Sequence, residues 1–215
     1  MTAQKKTPLW DSKDCAIIFI DYQPEVLDGV REKDRELMEF NARTLARMAR
    51  RFEIPVVLST VAVKLGVDSP TIPSLRAEMP DVEEIDRTSM DAWEDEAFVN
   101  AVKAAGRQKL IMCGIVTSVC LAFPAIHALS DGYQVAFVAD AVGDRTKEEH
   151  DTAVLRLVQA GVVPMTTAAL MAEWFRDWAS PLAKQAREVL PGFLLEFNKI
   201  KGWPPPLWTK KNQAK

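Results

Sequence analysis

Short apolar runs alternate along the chain with longer segments that have the spacing of amphipathic helices. CAIIFI is a typical run, short and rich in branched residues, as expected for a strand buried on both faces. The predicted strands lie at 15–20, 55–63, 82–87, 109–115, 133–142 and 162–167. The predicted helices lie at 33–51, 91–106, 117–132, 146–160 and 168–179. This β-α-β repetition indicates a mostly parallel sheet covered by helices on both faces.

The alternation predicts one domain over residues 1–180, an α/β three-layer α-β-α sandwich of the Rossmann-like type. A chain of 215 residues is too short for two comfortable domains. Residues 181–215 are predicted to be a C-terminal extension, in which the three prolines of GWPPPLW (202–208) favour an extended polyproline segment. Such a tail could contact a partner subunit or be a loosely packed terminus, and the sequence favours neither.

Charge and apolar run length give no reason to expect two classes of partner. Lys plus Arg total 27 and Asp plus Glu total 30, so the net charge of -3 gives no basis for nucleic-acid binding. No apolar run approaches the roughly 18 residues that a membrane span needs, so no membrane partner is expected. The N-terminal residues MTAQKKTPLWDSKD lack the apolar core of a signal peptide, and we expect a cytoplasmic location.

Cysteine and histidine are scarce. The three cysteines are Cys15, Cys113 and Cys120, and the two histidines are His127 and His150. An odd number of cysteines without a signal peptide argues against a disulfide framework. No CxxC or HExxH motif is present, and a zinc site needs three or four such ligands. We therefore expect no metal and no other cofactor.

Reactive side chains follow three of the predicted strands. Asp21 comes directly after the first strand and Arg87 ends the third. Cys120 lies in the first turns of the helix that follows the strand at 109–115. Sites in doubly wound sheets lie beyond the carboxyl ends of the strands. These three side chains are therefore the candidates for catalysis.

Cys120 has the position of a nucleophile. The positive end of a helix favours the thiolate, which is the form that attacks a carbonyl, and its free N–H groups can hold an oxyanion. Thr117 or Ser118 could cap this helix. The alternative is that Cys120 is a small buried apolar residue. Cys15 and Cys113 lie inside strands, where a structural role is expected.

Asp21 and Arg87 suit supporting roles. Asp21 emerges from an apolar strand and could act as a general base that takes the thiol proton. Arg87 would supply a permanent positive charge, because arginine is not deprotonated at working pH. Alternatively, Asp21 is a turn or cap residue, and Arg87 is a surface residue that pairs with Asp86 or Glu84.

Several motifs together resemble the isochorismatase-like cysteine hydrolases. They are FIDYQ (19–23), RTSMDAWEDEAFVNAVKAAG (87–106), GIVTSVC (114–120), VCLAFPAIHA (119–128) and GYQVAFVADAVG (132–143). The resemblance covers about residues 10–180, and within the superfamily the motifs are most similar to the YcaC-type hydrolases.

The resemblance implies the isochorismatase-like hydrolase fold and a catalytic Asp–Lys–Cys triad. Asp21 and Cys120 match the triad residue by residue. Arg87 occupies the lysine position, a departure from the wider family that resembles the YcaC-type pattern. Lys64 is the nearest alternative lysine, but it matches no motif position.

A cis peptide bond that does not involve proline is a second implication. By match it joins Ile115 and Val116. The backbone N–H of Val116, together with that of Cys120, would then face the oxyanion of an acyl-transfer intermediate. These two groups are the predicted oxyanion hole.

The implied activity is metal-independent hydrolysis of a small molecule. Nicotinamidases, a metal-dependent branch of the superfamily, use histidine in the long loop, but residues 64–80 contain none. Retention of Cys120 favours acyl transfer at an amide-like carbon–nitrogen bond. The alternatives are a catalytically degraded member with a binding or assembly role, and a redox-sensing cysteine protein. Membership also implies a homo-oligomer.

Four further residues could line the substrate pocket. They are Phe19, Gln23, Trp93 and Phe123, which lie close to the candidate site in sequence. For the aromatic residues the alternative is packing in the core, and for Gln23 it is a role in a solvated loop. His150 lies in the charged run TKEEHD, which predicts exposure to solvent.

Overall fold

The computed structural model describes residues 9–207, which build a six-stranded sheet in which all strand pairs are parallel. The strands are β1 (Cys15–Ile20), β2 (Val56–Val61), β3 (Glu84–Arg87), β4 (Lys109–Gly114), β5 (Gln134–Val138) and β6 (Val163–Met165). Each lies within a predicted strand. The predicted fold class is therefore confirmed.

The strand order, β3-β2-β1-β4-β5-β6, determines where the site can be. The chain builds outward from β1 to β3 and then resumes at β4 on the other side of β1. The crevice outside the carboxyl ends of β1 and β4 is thus the position at which folds of this type bind ligands. Both strands are buried along their whole lengths, as expected at the centre of a parallel sheet.

Helices cover both faces of the sheet. They are α1 (Pro24–Asp28), α2 (Arg35–Arg51), α3 (Pro73–Arg76), α4 (Glu96–Ala104), α5 (Ala122–Ser130), α6 (Lys147–Ala160), α7 (Thr167–Phe175) and α8 (Pro181–Ile200). Helices α2, α7 and α8 pack against one another, as do α5 and α6 in a second group. Among residues 9–207, no helix has both the length and the apolar composition that a membrane span requires.

The helix ends follow from local sequence. Asp34 caps α2 by accepting a hydrogen bond from the N–H of Leu37. Thr146 and Glu149 form a reciprocal capping box at the start of α6. Gly161 ends that helix with φ 102°, a conformation that glycine adopts without steric cost.

Two predicted helices are interrupted. Residues 91–106 form a 3₁₀ turn, Ala92–Glu94, and then α4, because Asp95 between them is extended and caps α4 at the N–H of Phe98. Residues 117–132 begin with a π-helical turn, Thr117–Leu121, before α5. The second interruption contains the candidate nucleophile.

The C-terminal extension begins with a helix, α8, which precedes the proline-rich run. Ser180 caps α8, and Phe193 of α8 stacks on Phe40 of α2 with ring centroids 5.5 Å apart. Helix α8 therefore covers the outer face of α2. Of the proline-rich run, residues 202–207 follow α8, and Trp208 lies outside the described residues. The domain boundary at 180 and the role of the extension in assembly stay predictions.

Candidate active site

Asp21 is the first residue after β1, and its backbone turns sharply there. Its φ of 60° places it in the left-handed region, which aspartate tolerates better than most residues with a side chain. Its N–H still donates to the carbonyl of Ser59 in β2 at 2.9 Å, so the sheet continues up to this residue. The Asp21 side chain is fully buried at the predicted strand end.

Arg87 reaches Asp21 from the edge of the sheet. It ends β3, two strands away from β1, a distance of about 10 Å that a long side chain can span. Its Nη1 donates to Asp21 Oδ1 at 2.6 Å and its Nη2 to Asp21 Oδ2 at 2.7 Å. On the way Nη1 also donates to Ser59 Oγ at 3.0 Å and to the Thr60 carbonyl at 3.1 Å.

The Asp21–Arg87 pair is a two-point ion pair with no solvent-exposed side-chain surface. Burial by itself would lower the pKa of Arg87, but the hydrogen bonds and charge of Asp21, with a smaller effect of Cys120, raise it above its usual value. The guanidinium therefore stays charged. Its Nε–H has no hydrogen-bond partner among the described residues, so one buried donor of Arg87 is still available.

A close backbone approach positions the turn that carries Cys120. Strand β4 ends at Gly114, and a Cβ there would lie 3.1 Å from Leu121 Cβ and 3.3 Å from the Leu121 nitrogen. The absence of a side chain at Gly114 thus allows the turn to fold back over the strand end. The turn begins next to the carboxyl end of β1, where Asp21 lies.

The peptide bond between Ile115 and Val116 is cis, at the position that the family resemblance implies. The N–H of Val116 is close enough to the sulfur of Cys120 to lower the pKa of the thiol. A backbone donor is thus present beside the candidate nucleophile, as expected for one half of the predicted oxyanion hole.

Cys120 faces the buried pair as a neutral thiol. Burial raises the pKa of Cys120 well above its usual value, and the charge of Asp21 and a hydrogen bond to its carboxylate raise it further. The positive charge of Arg87 and the N–H of Val116 oppose this rise but do not overcome it. A position near a helix start therefore does not outweigh burial and the charge of Asp21, which keep the pKa of the thiol above its usual value. Cys120 retains 8% of its surface exposed, whereas the Asp21 and Arg87 side chains have none.

A family model for the isochorismatase domain matches residues 15–169, a span that contains Asp21, Arg87 and Cys120. The chain belongs to the isochorismatase family.

Its relatives within the isochorismatase family include YcaC proteins. Probable hydrolase YcaC of Escherichia coli is 37% identical over 173 residues, 80% of this chain and 83% of that protein. The E. coli YcaC crystal structure, described as an octameric hydrolase of unknown specificity, matches with a TM-score of 0.86 and 32% identity, over 99% of this chain and 100% of that one. YcaC from Pseudomonas aeruginosa, with hexane-2,5-diol and covalent acrylamide, gives a TM-score of 0.83 and 33% identity, over 93% and 98%. The resemblance is confirmed, and these matches support a hydrolase.

The cation beside Asp21 is Arg87 and not the alternative Lys64. Lys64 is exposed, and its N–H donates to Asp86 Oδ2 at 2.9 Å. Asp86 also accepts from the N–H of Val63 at 3.0 Å, so it anchors the loop after β2 and does not pair with Arg87. The structure therefore places a guanidinium, and not a lysine ammonium, beside Asp21.

Thr117 and Ser118 do not cap a helix. Thr117 Oγ1 lies 3.0 Å from His150 Nδ1, and the N–H of Ser118 donates to Asp144 Oδ2 at 2.8 Å. His150 is buried, with 8% of its surface exposed, so the prediction of solvent exposure is wrong. Nothing in the local sequence indicates these contacts, because His150 is 33 residues from Thr117 and Asp144 is 26 residues from Ser118.

Two of the predicted pocket residues have structural contacts. Phe19 is fully buried in β1 and packs edge-on against Tyr22, with ring centroids 5.8 Å apart. Gln23 Nε2 donates to the carbonyls of Val61 and Ser69 at 2.9 Å, and its Oε1 accepts from the N–H of Val61 at 2.9 Å. The Gln23 amide therefore holds the end of β2 and the following loop in place.

The other two predicted pocket residues lie on the α5 side. Trp93 is mostly buried, and its indole N–H donates to Asp131 Oδ2 at 2.8 Å. Phe123 is partly buried, and the guanidinium of Arg156 lies 5.5 Å from its ring centroid. Contact of any of the four with a substrate stays a prediction.

Other potential binding features lie away from these residues. Among residues 9–207, no group of three or more His, Cys, Asp or Glu side chains is arranged to hold a metal ion. Two surface clefts of about 550 Å³ each lie along α2, one beside α8 and the other beside α1. Neither is lined by Asp21, Arg87 or Cys120.

Proposed function

We propose that this protein hydrolyses an amide-like carbon–nitrogen bond of a small molecule through a covalent acyl-enzyme on Cys120. The observation that carries the proposal is the buried, two-point Asp21–Arg87 pair facing the Cys120 thiol. Each group comes from a different strand end, and a buried charge pair beside a cysteine has a clear use in nucleophilic catalysis.

In the first step, Asp21 takes the thiol proton as the sulfur attacks the substrate carbonyl. Because burial and Asp21 raise the pKa of the thiol, we propose that the proton is transferred as the sulfur attacks. The Asp21 carboxylate already interacts with the thiol, since it raises the pKa of Cys120, and it is therefore placed to act as the base. Arg87 keeps its positive charge throughout and stabilises the carboxylate beside the reacting sulfur.

The tetrahedral oxyanion would be held by backbone N–H groups. Val116 contributes one, because its N–H already faces the sulfur of Cys120, and the N–H of Cys120 itself is the second. One donor of this kind is worth about 3 kcal/mol of transition-state stabilisation.

The second half of the reaction returns the site to its resting state. As the carbon–nitrogen bond breaks, Asp21 gives its proton to the leaving amine and a thioester remains on Cys120. Water then gives a proton to Asp21 while its oxygen attacks the thioester. The carbon–sulfur bond breaks, the sulfur recovers the proton, and the acid product leaves.

The relatives support this proposal at two points. P. aeruginosa YcaC has been observed with covalent acrylamide, an electrophile to which thiols add. E. coli YcaC is an octamer, and we propose that this chain also forms a homo-oligomer.

The small exposed area of Cys120 favours a small substrate.

A panel of small aliphatic and aromatic amides, with release of ammonia or amine as the readout, tests the proposal. The Cys120→Ala variant should lose turnover by at least about 10³-fold, because nucleophile and base act together. Cys15→Ala is the matched control, since Cys15 is fully buried in β1. Full activity of Cys120→Ala on an amide that the wild type hydrolyses would remove the cysteine from the mechanism.

A catalytically degraded family member with a binding or assembly role is the second candidate. The replacement of the family lysine by Arg87 favours it. If no amide is turned over and Arg87→Lys creates hydrolysis, this second candidate is correct. If wild-type activity falls in Arg87→Lys, the arginine is part of a working site.

A further inference from the structure

A partly buried lysine and a buried histidine form a hydrogen-bonded chain to the π-helical turn Thr117–Leu121, which we call the nucleophile turn. Lys33 Nζ is 3.0 Å from His150 Nε2, and His150 Nδ1 is 3.0 Å from Thr117 Oγ1. Thr117 has no exposed surface and begins the π-helical turn that contains Cys120. A chain of three side chains thus connects Lys33 to the turn, and the proposed reaction does not use it.

The surroundings of Lys33 determine the direction of these hydrogen bonds. Besides His150 Nε2, its ammonium contacts the carbonyls of Ala139 at 2.7 Å and Val142 at 2.9 Å. Carbonyl oxygens only accept, so the three N–H groups of the ammonium match two carbonyls and one ring nitrogen. His150 Nε2 is therefore the acceptor.

The tautomer of His150 follows from this assignment. A neutral imidazole has one N–H, and because Nε2 accepts from Lys33, the proton is on Nδ1. His150 Nδ1–H then donates to Thr117 Oγ1. The ring is held neutral, since a second ring proton would point at the ammonium of Lys33.

A second set of contacts holds the same turn next to the first. The N–H of Ser118 donates to Asp144 Oδ2 at 2.8 Å, and the N–H of Asp144 donates to Glu32 Oε1 at 3.0 Å. Gly143 directly precedes Asp144 in the chain, and its carbonyl accepts from the N–H of Thr117 at 2.9 Å. The backbone of the turn is thus fixed by polar groups behind it.

We propose that His150, held neutral in its Nδ1–H tautomer by Lys33, is a positioning residue for the nucleophile. By holding Thr117, it orients the turn so that the N–H of Val116 faces the Cys120 sulfur and the thiol faces Asp21. The proposal rests on the proposed role of Cys120 as nucleophile, but its structural part can be tested without a substrate.

The charges that face His150 are consistent with this role. Burial, followed by the positive charge of Lys33, lowers the pKa of His150 to about 4, while Asp151 and Asp144 partly oppose this change. Lys147 also lowers the pKa. Glu32 Oε1 lies 3.7 Å from His150 Nδ1. The ring is therefore neutral at neutral pH.

NMR of the two histidines in the full-length protein tests the tautomer, with His127 on the surface as the internal reference. In the wild type, ¹⁵N chemical shifts should show His150 protonated at Nδ1 and neutral down to about pH 4. Lys33→Met should raise the pKa of His150 towards its usual value and remove the tautomer preference. Lys147→Met, a nearby lysine that does not contact the ring, should have a smaller effect. An Nε2–H tautomer in the wild type would overturn the proposal.

Alkylation of Cys120 by iodoacetamide as a function of pH tests the positioning role. In Thr117→Val the hydroxyl is lost but the shape is kept, so the profile should move to higher pH. If the pKa of the thiol rises by one, the reaction at fixed pH becomes about tenfold slower. Thr117→Ser keeps the hydroxyl and should stay within about twofold of the wild type. An unchanged or faster reaction in Thr117→Val would refute the positioning role.

The two proposals fail in different ways. If Thr117→Val behaves as the wild type while Cys120→Ala loses hydrolysis, only the positioning role is wrong. If alkylation depends on Thr117 as expected but Cys120→Ala keeps full turnover, positioning is correct for the thiol and the catalytic role of Cys120 is wrong.

Discussion

Replacement of Arg87 by methionine should destabilise the protein strongly, because it leaves the Asp21 carboxylate buried without its partner. Both side chains have no exposed surface and are joined by hydrogen bonds of 2.6 and 2.7 Å. Removal of one member of such a pair lowers the free energy of unfolding by about 3–5 kcal/mol. Arg87→Lys should cost less, since it keeps the charge and loses the two-point geometry.

Urea unfolding followed by circular dichroism measures this loss. With a slope of roughly 2–3 kcal/mol per M for a domain of this size, the midpoint of Arg87→Met should fall by about 1–2 M. Arg35→Met is the matched control, because Arg35 pairs with Asp28 on the surface, where both side chains are about half exposed or more. An exposed pair contributes at most about 1 kcal/mol.

A double-mutant cycle separates the pair from its surroundings. Asp21→Asn keeps the left-handed backbone, which asparagine also tolerates, and leaves Arg87 unpaired. The double variant has no buried charge. Its loss of unfolding free energy should therefore be smaller than the summed losses of the two single variants by at least about 2 kcal/mol. The reasoning would be refuted if Arg87→Met lost less than about 1 kcal/mol of unfolding free energy, or if the losses of the two single variants simply added up in the double variant.

Three further predictions concern the turn after β4, the buried histidine and the thiol. Gly114→Ala should lower the free energy of unfolding, measured with urea, by about 1–3 kcal/mol, because the added methyl meets the backbone of Leu121. Gly192→Ala in α8 is the control: its methyl meets nothing within 4 Å, and it should raise the free energy of unfolding by up to about 1 kcal/mol. The urea midpoint should fall as the pH is lowered from about 6.5 to 4, because His150 is protonated in the unfolded chain over this range but stays neutral in the folded protein until about pH 4. In His150→Gln the midpoint should depend less steeply on pH. Alkylation of Cys120 by iodoacetamide should still accelerate above pH 9, since burial raises the pKa of the thiol; a plateau below pH 8 would contradict this.

The parallel sheet and the three candidate residues could be predicted from sequence because both depend on local pattern. Short buried strands have a recognisable composition, and the carboxyl ends of parallel strands meet along one edge. Asp21, Arg87 and Cys120 each follow or end such a strand. The structure brings them together as that rule predicts.

The partner of Arg87 could not be chosen from sequence. Asp86 and Glu84 are near in the chain, but in a strand neighbouring side chains point to opposite faces, and Asp86 is used to hold the next loop. Asp21 becomes the partner only because β1 lies two strands away in the assembled sheet. This information lies in the strand order.

The helical extension and the buried His150 were missed for other physical reasons. Pro191 and Gly192 disfavour helix in the middle of α8, yet packing of Phe193 on Phe40 outweighs their propensity. His150 lies in a charged run, but its face of α6 packs behind the nucleophile turn. The pKa of the Cys120 thiol is raised by burial and by the charge of Asp21, and these effects outweigh the lowering that a helix start would give.

Mass spectrometry of the protein quenched during turnover of an amide substrate tests the central claim most directly. We expect an acyl group on the peptide that contains Cys120, lost on further incubation and absent from Cys120→Ala. Turnover without any adduct on Cys120, or an acyl group that forms at another residue while Cys120→Ala remains active, would contradict the acyl-enzyme mechanism.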